Sequence, residues 1–145
     1  MTFNFTPTNL FTIEHLRFKR LWLAVGFLLI AGVIVASVVK MPSALTPFTY
    51  SDKLLHCVVY AGLMGWFAQI YRHDLTRIMF VILLCSLGVA IEFMQTATAT
   101  RHFDVSDIVA NTCGVILAWA LAYTWVGTIL PRFEGLLIPQ AESQT

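Results

Sequence analysis

The stretch LWLAVGFLLIAGVIVASVV, from Leu21 to Val39, decides the class of fold, because it contains no charged side chain over 19 residues. An α-helix rises about 1.5 Å per residue, so about 20 apolar residues cross a hydrocarbon core about 30 Å thick. Signal-peptide cores are shorter, about 7–15 residues, and no clear small-residue cleavage site closes this run. The stretch therefore predicts a retained first transmembrane helix.

The composition of the whole chain agrees with a membrane location. Hydrophobic residues make up 58% of the 145 residues and charged residues only 12%, whereas a typical soluble domain has about 25% charged residues. So few charges could not cover the surface of a soluble protein of this size, which excludes a soluble enzyme. The formal net charge of +1 provides no basic surface, so we expect no nucleic-acid partner.

Three further apolar runs follow the first, at residues 54–71, 78–96 and 108–130, and the last one stops at Pro131. Together they predict an all-α membrane protein, a bundle of four transmembrane helices at 21–39, 54–71, 78–96 and 108–130. Residues 1–20 are then an N-terminal cytoplasmic segment, 21–130 the membrane domain and 131–145 a cytoplasmic tail. The short connection 72–77 predicts an antiparallel hairpin of the second and third helices.

The distribution of basic residues predicts the orientation, since cytoplasmic loops carry an excess of Lys and Arg. Six basic residues fall on one side and three on the other: Arg17, Lys19, Arg20, Arg72, Arg77 and Arg132 against Lys40, Lys53 and Arg101. We therefore expect both termini in the cytoplasm of a multi-pass protein of the bacterial inner (cytoplasmic) membrane. The connections 40–53 and 97–107 then face outward.

Polar side chains recur at helical spacing near the outward ends of three helices: Asp52, His56 and Tyr60 on the second, Glu92 and Gln95 on the third, and Asp104, Asp107 and Asn111 on the fourth. Residues three or four apart share one helical face. From the helical rise, His56, Glu92 and Asn111 lie about 3–6 Å below the outer boundary. Ionisable groups at such depth usually face the bundle interior and find partners there, so we predict one outward-opening polar site.

Each of these residues also has a purely structural interpretation. Asp104 with Asp107 imitates a capping box at the start of the fourth helix, and Ser51 or Asp52 could cap the second. His56 could be a packing residue and Tyr60 an interface anchor. Glu92 is harder to explain in this way, because the dipole at a helix C-terminus disfavours an anion. It needs a proton or a cation, and the candidates are Lys53, His56 and Arg101.

The ligand expected at this site is an anion. The second and fourth helices direct their N-termini towards it, and with Lys53 and Arg101 they suit a phosphate or a carboxylate. A divalent cation that bridges this anion to Asp107 and Glu92 is an alternative, but the histidine and carboxylates lack a recognised metal-ligand spacing, so no metal ligand set is predicted. The sequence leaves open whether a cofactor binds.

At these residues the chain resembles the VanZ-like family of small bacterial membrane proteins. The resemblance runs from about Asp52 to Ala122 and comprises DKLLH at 52–56 with Tyr60, EFMQ at 92–95, and Arg101 followed by DVSDIVANTCG at 104–114. One departure is TATAT at 96–100, where the family usually has a turn containing Pro or Gly. The resemblance implies a polytopic helical protein of the cell envelope. The family takes its name from a member associated with resistance to the glycopeptide teicoplanin.

Three functions compete on these residues. The first is an enzyme or binding protein for an anionic lipid or lipid-linked saccharide of the envelope, in which His56 acts as general acid/base because imidazole titrates near neutrality. Its candidate catalytic residues are His56, Glu92 and Asp107, and its candidate substrate-binding residues are Lys53, Tyr60, Gln95, Arg101, Asp104 and Asn111. The second is a small proton-linked transporter, which the lack of matching polar residues in the cytoplasmic halves disfavours. The third is a non-catalytic partner subunit with a structural polar network.

Overall fold

The structure, a computed structural model, describes residues 16–39, 49–97 and 103–137, and of residues 49–51 only the backbone. These residues form five α-helices and one short 3₁₀ turn: α1 Lys19–Val38, α2 Thr49–Ile70, α3 Asp74–Ala97, α4 Val105–Leu121, the turn Trp125–Thr128, and α5 Ile129–Leu137. Every regular element in the described part of the chain is helical, so the all-α prediction is confirmed there.

The membrane-spanning character differs among the helices. α1 and α3 are long and apolar enough to cross a bilayer, and α4 with Trp125–Leu137 makes a third span if this bent pair is one. α2 does not meet the same test, since it carries Asp52, Lys53, His56 and Gln69 along its length. The helices thus support a membrane protein with two or three candidate spans, whereas four spans and cytoplasmic termini remain predictions.

The four long helices alternate in direction. Near the ends of α1 and α3, the Gln95 amide donates to the backbone carbonyl of Ser37 at 3.1 Å. Near the starts of α2 and α4, Lys53 contacts Asp104. α1 is peripheral, with Gly26 as its one buried residue. The centre of the bundle is apolar and fully buried, and its largest side chains include Met64, Phe67, Leu84 and Val115.

α2 and α4 approach so closely that their backbones touch at Gly114. A Cβ added there would lie 2.1 Å from the carbonyl oxygen of Cys57 and 3.0 Å from the backbone nitrogen of Ala61. Only glycine permits such an approach, as in small-residue packing between membrane helices. This contact fixes the distance between His56, which precedes Cys57, and Asn111, which lies one turn before Gly114.

The hairpin of α2 and α3 closes through Arg77, which is only 6% exposed. Its Nη2 donates to the carbonyl oxygen of Ala68 at 2.7 Å, and its Nε donates to that of Tyr71 at 3.0 Å. Basic side chains satisfy the last carbonyls of a helix in this way. The antiparallel hairpin agrees with the prediction, but its connection is 71–73 and not 72–77, because α3 begins at Asp74 and contains Arg77.

Glu134 of α5 holds the start of α1 at the same end of the bundle. This carboxylate is 5% exposed and accepts hydrogen bonds from the backbone N–H groups of Arg17 and Phe18, at 2.8 and 2.6 Å, and from Trp22 Nε1 at 3.1 Å. The first N–H groups of a helix lack intrahelical partners and carry partial positive charge. A buried anion is therefore stable at this position.

The predicted continuous helix 108–130 is wrong in its second half. α4 ends at Leu121, and the helical segment that follows is bent from it by 76°. The Thr124 hydroxyl accepts from the backbone N–H of Val126 and so starts the 3₁₀ turn. Gly127 folds against the Ala122 carbonyl, where a Cβ would be only 2.1 Å away. Pro131 does not end a helix, because it lies in the first turn of α5, where proline is tolerated.

The start of the second helix also differs from the prediction. α2 begins at Thr49, five residues before the predicted boundary at residue 54. Ser51 and Asp52 therefore lie inside its first turn, and the interpretation of either residue as its N-cap is wrong. The extra turn carries the Asp52 backbone into the same helix as His56.

Candidate functional site

The predicted polar residues meet at one end of the bundle, where α2 and α4 begin and α3 ends. A set of six side chains is brought together there by hydrogen bonds or ion pairs: Lys53, His56, Glu92, Asp104, Asp107 and Asn111. Arg101 lies outside the described residues. The spacing argument from the sequence thus agrees with the geometry, while the roles of these residues are a separate question.

Lys53 links α2 to the first turn of α4. Its Nζ lies 2.7 Å from Asp104 Oδ2 and 3.1 Å from Asp107 Oδ1, and it also donates to the Ser106 hydroxyl. The Lys53 and Asp104 side chains are 31% and 48% exposed, whereas Asp107 is only 6% exposed. Burial therefore increases from the rim of the site, at Lys53 and Asp104, inwards to Asp107.

Asp104 is the N-cap of α4. Its backbone is extended, with φ −126° and ψ 108°, and its carboxylate accepts from the backbone N–H of Ser106 at 2.8 Å. Hydrogen bonding to Lys53, and then to Ser106, holds the pKa of the Asp104 carboxyl well below its usual range. The capping interpretation of Asp104 is thus correct, and the structure adds an ion pair with Lys53.

Glu92 reaches the same helix start from α3. Its Oε1 accepts from the backbone N–H of Asp104 at 2.6 Å, and the residue is 2% exposed. In a capping box this N-cap N–H is satisfied by an acidic side chain three residues on. Here Asp107 turns to Lys53 and His56 instead, and Glu92 takes its place from another helix. The partial positive charge at the N-terminus of α4 therefore stabilises the Glu92 carboxylate. The sequence had predicted a proton or a cation in this role.

His56 is held between two residues of α4. Its Nδ1 lies 3.1 Å from Asn111 Oδ1, and since an amide oxygen can only accept, Nδ1 is the donor. Its Nε2 faces Asp107 Oδ2 at 3.6 Å, which is too long for a hydrogen bond. The imidazole is 16% exposed, so it can contact a ligand at the rim while Asn111 fixes the orientation of its ring.

Tyr60 and Gln95 lie beyond this cluster. The Tyr60 residue is 2% exposed, and its hydroxyl has no hydrogen-bond partner among the described residues. A Cβ at Gly88 would be 3.4 Å from that hydroxyl and 3.1 Å from Asn111 Nδ2, so Tyr60 reaches the inner side of the His56–Asn111 pair. Gln95 instead donates to Ser37 of α1 and contributes to helix packing.

Asp52 adds a second acidic ligand atom beside the imidazole. Asp52, His56 and Asp107 each offer one atom that could bind a metal ion, and these three atoms all lie within 4.8 Å of one another. Asp52 and His56 are one helical turn apart, so both project from the same face of α2 towards α4. Chemically, the cluster can bind a cation, or a ligand that brings one, and it can exchange a proton at His56.

A family model described as VanZ/LLP1 matches residues 1–127 of the chain. The chain belongs to the VanZ/LLP1 family. Searches of curated proteins and of solved structures gave no match. The VanZ/LLP1 assignment confirms the resemblance that the motifs predict, and it agrees with the membrane location indicated by the apolar helices.

In this VanZ/LLP1 protein the sequence reasoning missed Ser106. Its backbone N–H is capped by Asp104 and its hydroxyl accepts from Lys53. The signal is present in the sequence, because a serine two residues after an N-cap aspartate lies in the first turn of the helix. Its contact with Lys53 depends on the packing of α2 against α4 and has no local signature.

Proposed function

We propose that this VanZ/LLP1 protein is a multi-pass protein of the bacterial inner membrane whose outward-facing polar site binds, or acts on, an anionic lipid or a lipid-linked precursor of the cell envelope. One observation carries the proposal: His56 contacts Asn111 and faces Asp107, and the same Asp107 pairs with the partly exposed Lys53. A titratable group is thereby held within reach of a ligand that enters beside a cation.

The position of the site supports a lipid head group as the ligand. The rim residues Lys53 and Asp104 have partly exposed side chains, at 31% and 48%, while His56 and Asp107 are more buried, at 16% and 6%. The N-termini of α2 and α4 lie at this site, and their partial positive charge favours an anion. With the predicted orientation, a head group in the outer leaflet would meet the site from the side or from above.

The residues would divide the work according to their contacts. His56 would exchange a proton with the bound head group, and Asp107 and Asn111 would hold the imidazole in the required orientation. Lys53 would approach the phosphate, with Arg101 as a further candidate. Among the described residues, the Glu92 carboxylate accepts a hydrogen bond from the backbone of Asp104 and none from His56. We therefore assign Glu92 a positioning role at the start of α4.

Lipid binding can be tested with the detergent-solubilised full chain by native mass spectrometry. The protein would be offered phosphatidylcholine together with either phosphatidylglycerol or a polyprenyl phosphate. The wild type should retain the anionic lipids in preference, and Lys53→Gln and His56→Gln should each lower that occupancy at least several-fold. The matched control is Arg72→Gln, which removes an exposed cation at the opposite end of the bundle.

Two results would overturn the lipid proposal. One is equal retention of anionic and zwitterionic lipids by the wild type. The other is a loss in Arg72→Gln as large as that in Lys53→Gln, since binding would then follow net charge and not the site. A preference for the polyprenyl phosphate over phosphatidylglycerol would identify the lipid-linked precursor as the ligand.

A second function, a non-catalytic membrane partner subunit, is favoured by the internal pairing of the site. The ammonium of Lys53 already has three acceptors, Asp104, Ser106 and Asp107, as expected of a network that only stabilises the fold. The variants His56→Gln and Glu92→Gln separate the alternatives, because an amide keeps hydrogen bonding and removes titration. A proton-transfer group typically contributes 10²–10⁴ in rate.

The readout is the susceptibility of a deletion strain to a glycopeptide such as teicoplanin, or to envelope stress, after complementation with each variant at equal membrane abundance. The proposal includes a link to glycopeptide resistance. It therefore predicts that the wild-type protein restores growth of the deletion strain in the presence of the glycopeptide. If both amide variants restore it fully, proton chemistry at the site is excluded and the partner-subunit function leads. Failure of His56→Gln with success of Glu92→Gln would agree with the roles proposed above.

A proton-linked transporter is disfavoured by the middle of the bundle. Between the His56 cluster and the polar residues at the other end, Gln69 and Arg77, lies a layer of fully buried apolar side chains that includes Met64 and Phe67. In the described part of the chain no polar path therefore crosses from one end to the other.

A further inference from the structure

We infer that Asp52, His56 and Asp107 form a binding site for a divalent transition-metal ion, with Zn²⁺ as the representative ion. The three potential ligand atoms lie within 4.8 Å of one another and come from two helices, with the α2 pair at i and i+4. Histidine nitrogen and carboxylate oxygen are ligands that zinc binds at about 2.0–2.2 Å. Small side-chain rotations would bring all three to that distance from one ion.

The separation of His56 from Asp107 fits an ion better than a hydrogen bond. Because Nδ1 donates to Asn111, the opposite nitrogen Nε2 carries the lone pair that can bind a cation, and it faces Asp107 Oδ2 at 3.6 Å. Two ligands on a tetrahedral ion with bonds of about 2.1 Å are about 3.4 Å apart. The gap thus has the size that a bound metal ion fills.

The surroundings of His56 have the second layer of contacts that metal-binding histidines require. A ligating histidine almost always donates its other ring nitrogen to a carbonyl or carboxylate, which fixes the ring, and Asn111 accepts that hydrogen bond here. An independent feature is the buried Tyr60 hydroxyl, which has no partner among the described residues and flanks the Asn111 amide beside Gly88. Buried hydroxyls are normally hydrogen-bonded, so a water or a ligand atom is expected beside the Tyr60 hydroxyl.

The charges of the cluster call for a cation. In the described part of the site the one lysine, Lys53, pairs with Asp104 and Asp107. Two further carboxylates, Asp52 and Glu92, lie at the same end of the bundle. A divalent ion would offset this negative charge locally and would add to the attraction that Lys53 and the helix N-termini exert on a phosphate head group. Three protein ligands leave the fourth position of zinc open, which suits a phosphate oxygen. The role of the ion rests on the proposed function, but its binding does not depend on lipid.

Metal binding can be measured on the detergent-solubilised full chain without added lipid. After treatment with a chelator, the protein would be titrated with Zn²⁺ against a chromophoric competitor, and the bound metal counted by elemental analysis. We expect one ion per chain, an affinity lowered at least 100-fold in His56→Gln and in Asp107→Asn, and a loss of about 10–100-fold in Asn111→Ala, which removes only the orienting contact. Far-UV circular dichroism would establish that each variant keeps its helices.

The matched controls are His73→Gln and Asp74→Asn, which remove the same chemical groups at the opposite end of the bundle. Both should bind Zn²⁺ as the wild type does. The inference is overturned if the wild type binds no ion, or if folded His56→Gln binds it as tightly as His73→Gln. Neither result bears on the lipid proposal, which has its own test. Zn²⁺ binding without any lipid preference would instead uphold the metal site and reject the lipid proposal.

Discussion

Gly114→Ala is the substitution whose consequence the helix packing defines most sharply. The added Cβ would lie 2.1 Å from the carbonyl oxygen of Cys57, whereas ordinary packing contacts begin near 3.4 Å. α2 and α4 must therefore separate by about 1.3 Å, the difference between these distances. The obstacle is backbone on both sides, so no side-chain rotation can relieve it.

Two effects of opposite sign determine how much Gly114→Ala changes the free energy of unfolding. Overpacking of this kind costs about 1–3 kcal/mol, and alanine is about 0.5–1 kcal/mol better than glycine within a helix. The net loss in the free energy of unfolding then lies between about zero and about 2.5 kcal/mol, which corresponds to a fall of up to about 10 °C in melting temperature for a chain of this size. The same displacement would stretch the 3.1 Å contact between His56 and Asn111 beyond hydrogen-bonding range.

The assay is thermal unfolding of the detergent-solubilised protein, followed by far-UV circular dichroism. The control is Gly62→Ala in α2, where an added Cβ would meet no atom within 4 Å, so only the gain in helix propensity should appear. A melting temperature of Gly114→Ala at or above that of Gly62→Ala would refute the close approach of the two helices.

Three further predictions concern the ends of the bundle. Glu134→Ala should lower the free energy of unfolding by about 2–4 kcal/mol, because three N–H groups near the start of α1 lose a charged acceptor, while Glu134→Gln should lose less; an unchanged melting temperature in the alanine variant would exclude the cap. Lys53 lowers the pKa of Asp104, so this carboxylate contributes its full stabilisation above about pH 4, where it is ionised in the unfolded chain, and loses it as the pH falls further. The melting temperature should therefore decline more steeply below about pH 4 in the wild type than in Asp104→Asn, and parallel profiles would argue against the ion pair. Reporter fusions after Gln69 and after Thr145 should be active only in a cytoplasmic assay, and periplasmic activity of either would reverse the predicted orientation.

The sequence predicts those features of the site that depend on one helix at a time. A spacing of three or four residues is enough to place Asp107 and Asn111 on one face of α4, and uncharged runs are enough to locate α1 and α3. The meeting of the helices at one level followed from helical rise, because His56 and Asn111 lie at similar distances from the starts of their runs.

Features that depend on tertiary contacts were predicted less well. The bend after Leu121 was missed, because it requires Gly127 to pack against the Ala122 carbonyl, a contact without any local pattern. The partner of Glu92 was expected to be a charged side chain, since sequence patterns show side chains and not backbone groups. In the structure it is the backbone N–H of Asp104, which another helix exposes at its first turn.

The contact of Glu134 with the start of α1 has a consequence for biosynthesis, since Arg17 and Glu134 are 117 positions apart in the chain. Ribosomes add about 5–20 residues per second, so the first helix waits about 6–25 s after its own synthesis before this carboxylate exists. During that interval water or lipid head groups must accept the hydrogen bonds from these N–H groups. A nascent chain that stops after α4 already contains every residue of the His56 cluster, yet its first helix is still open at one end. Docking of α5 is thus the late step that supplies the acceptor for the N–H groups at the start of α1.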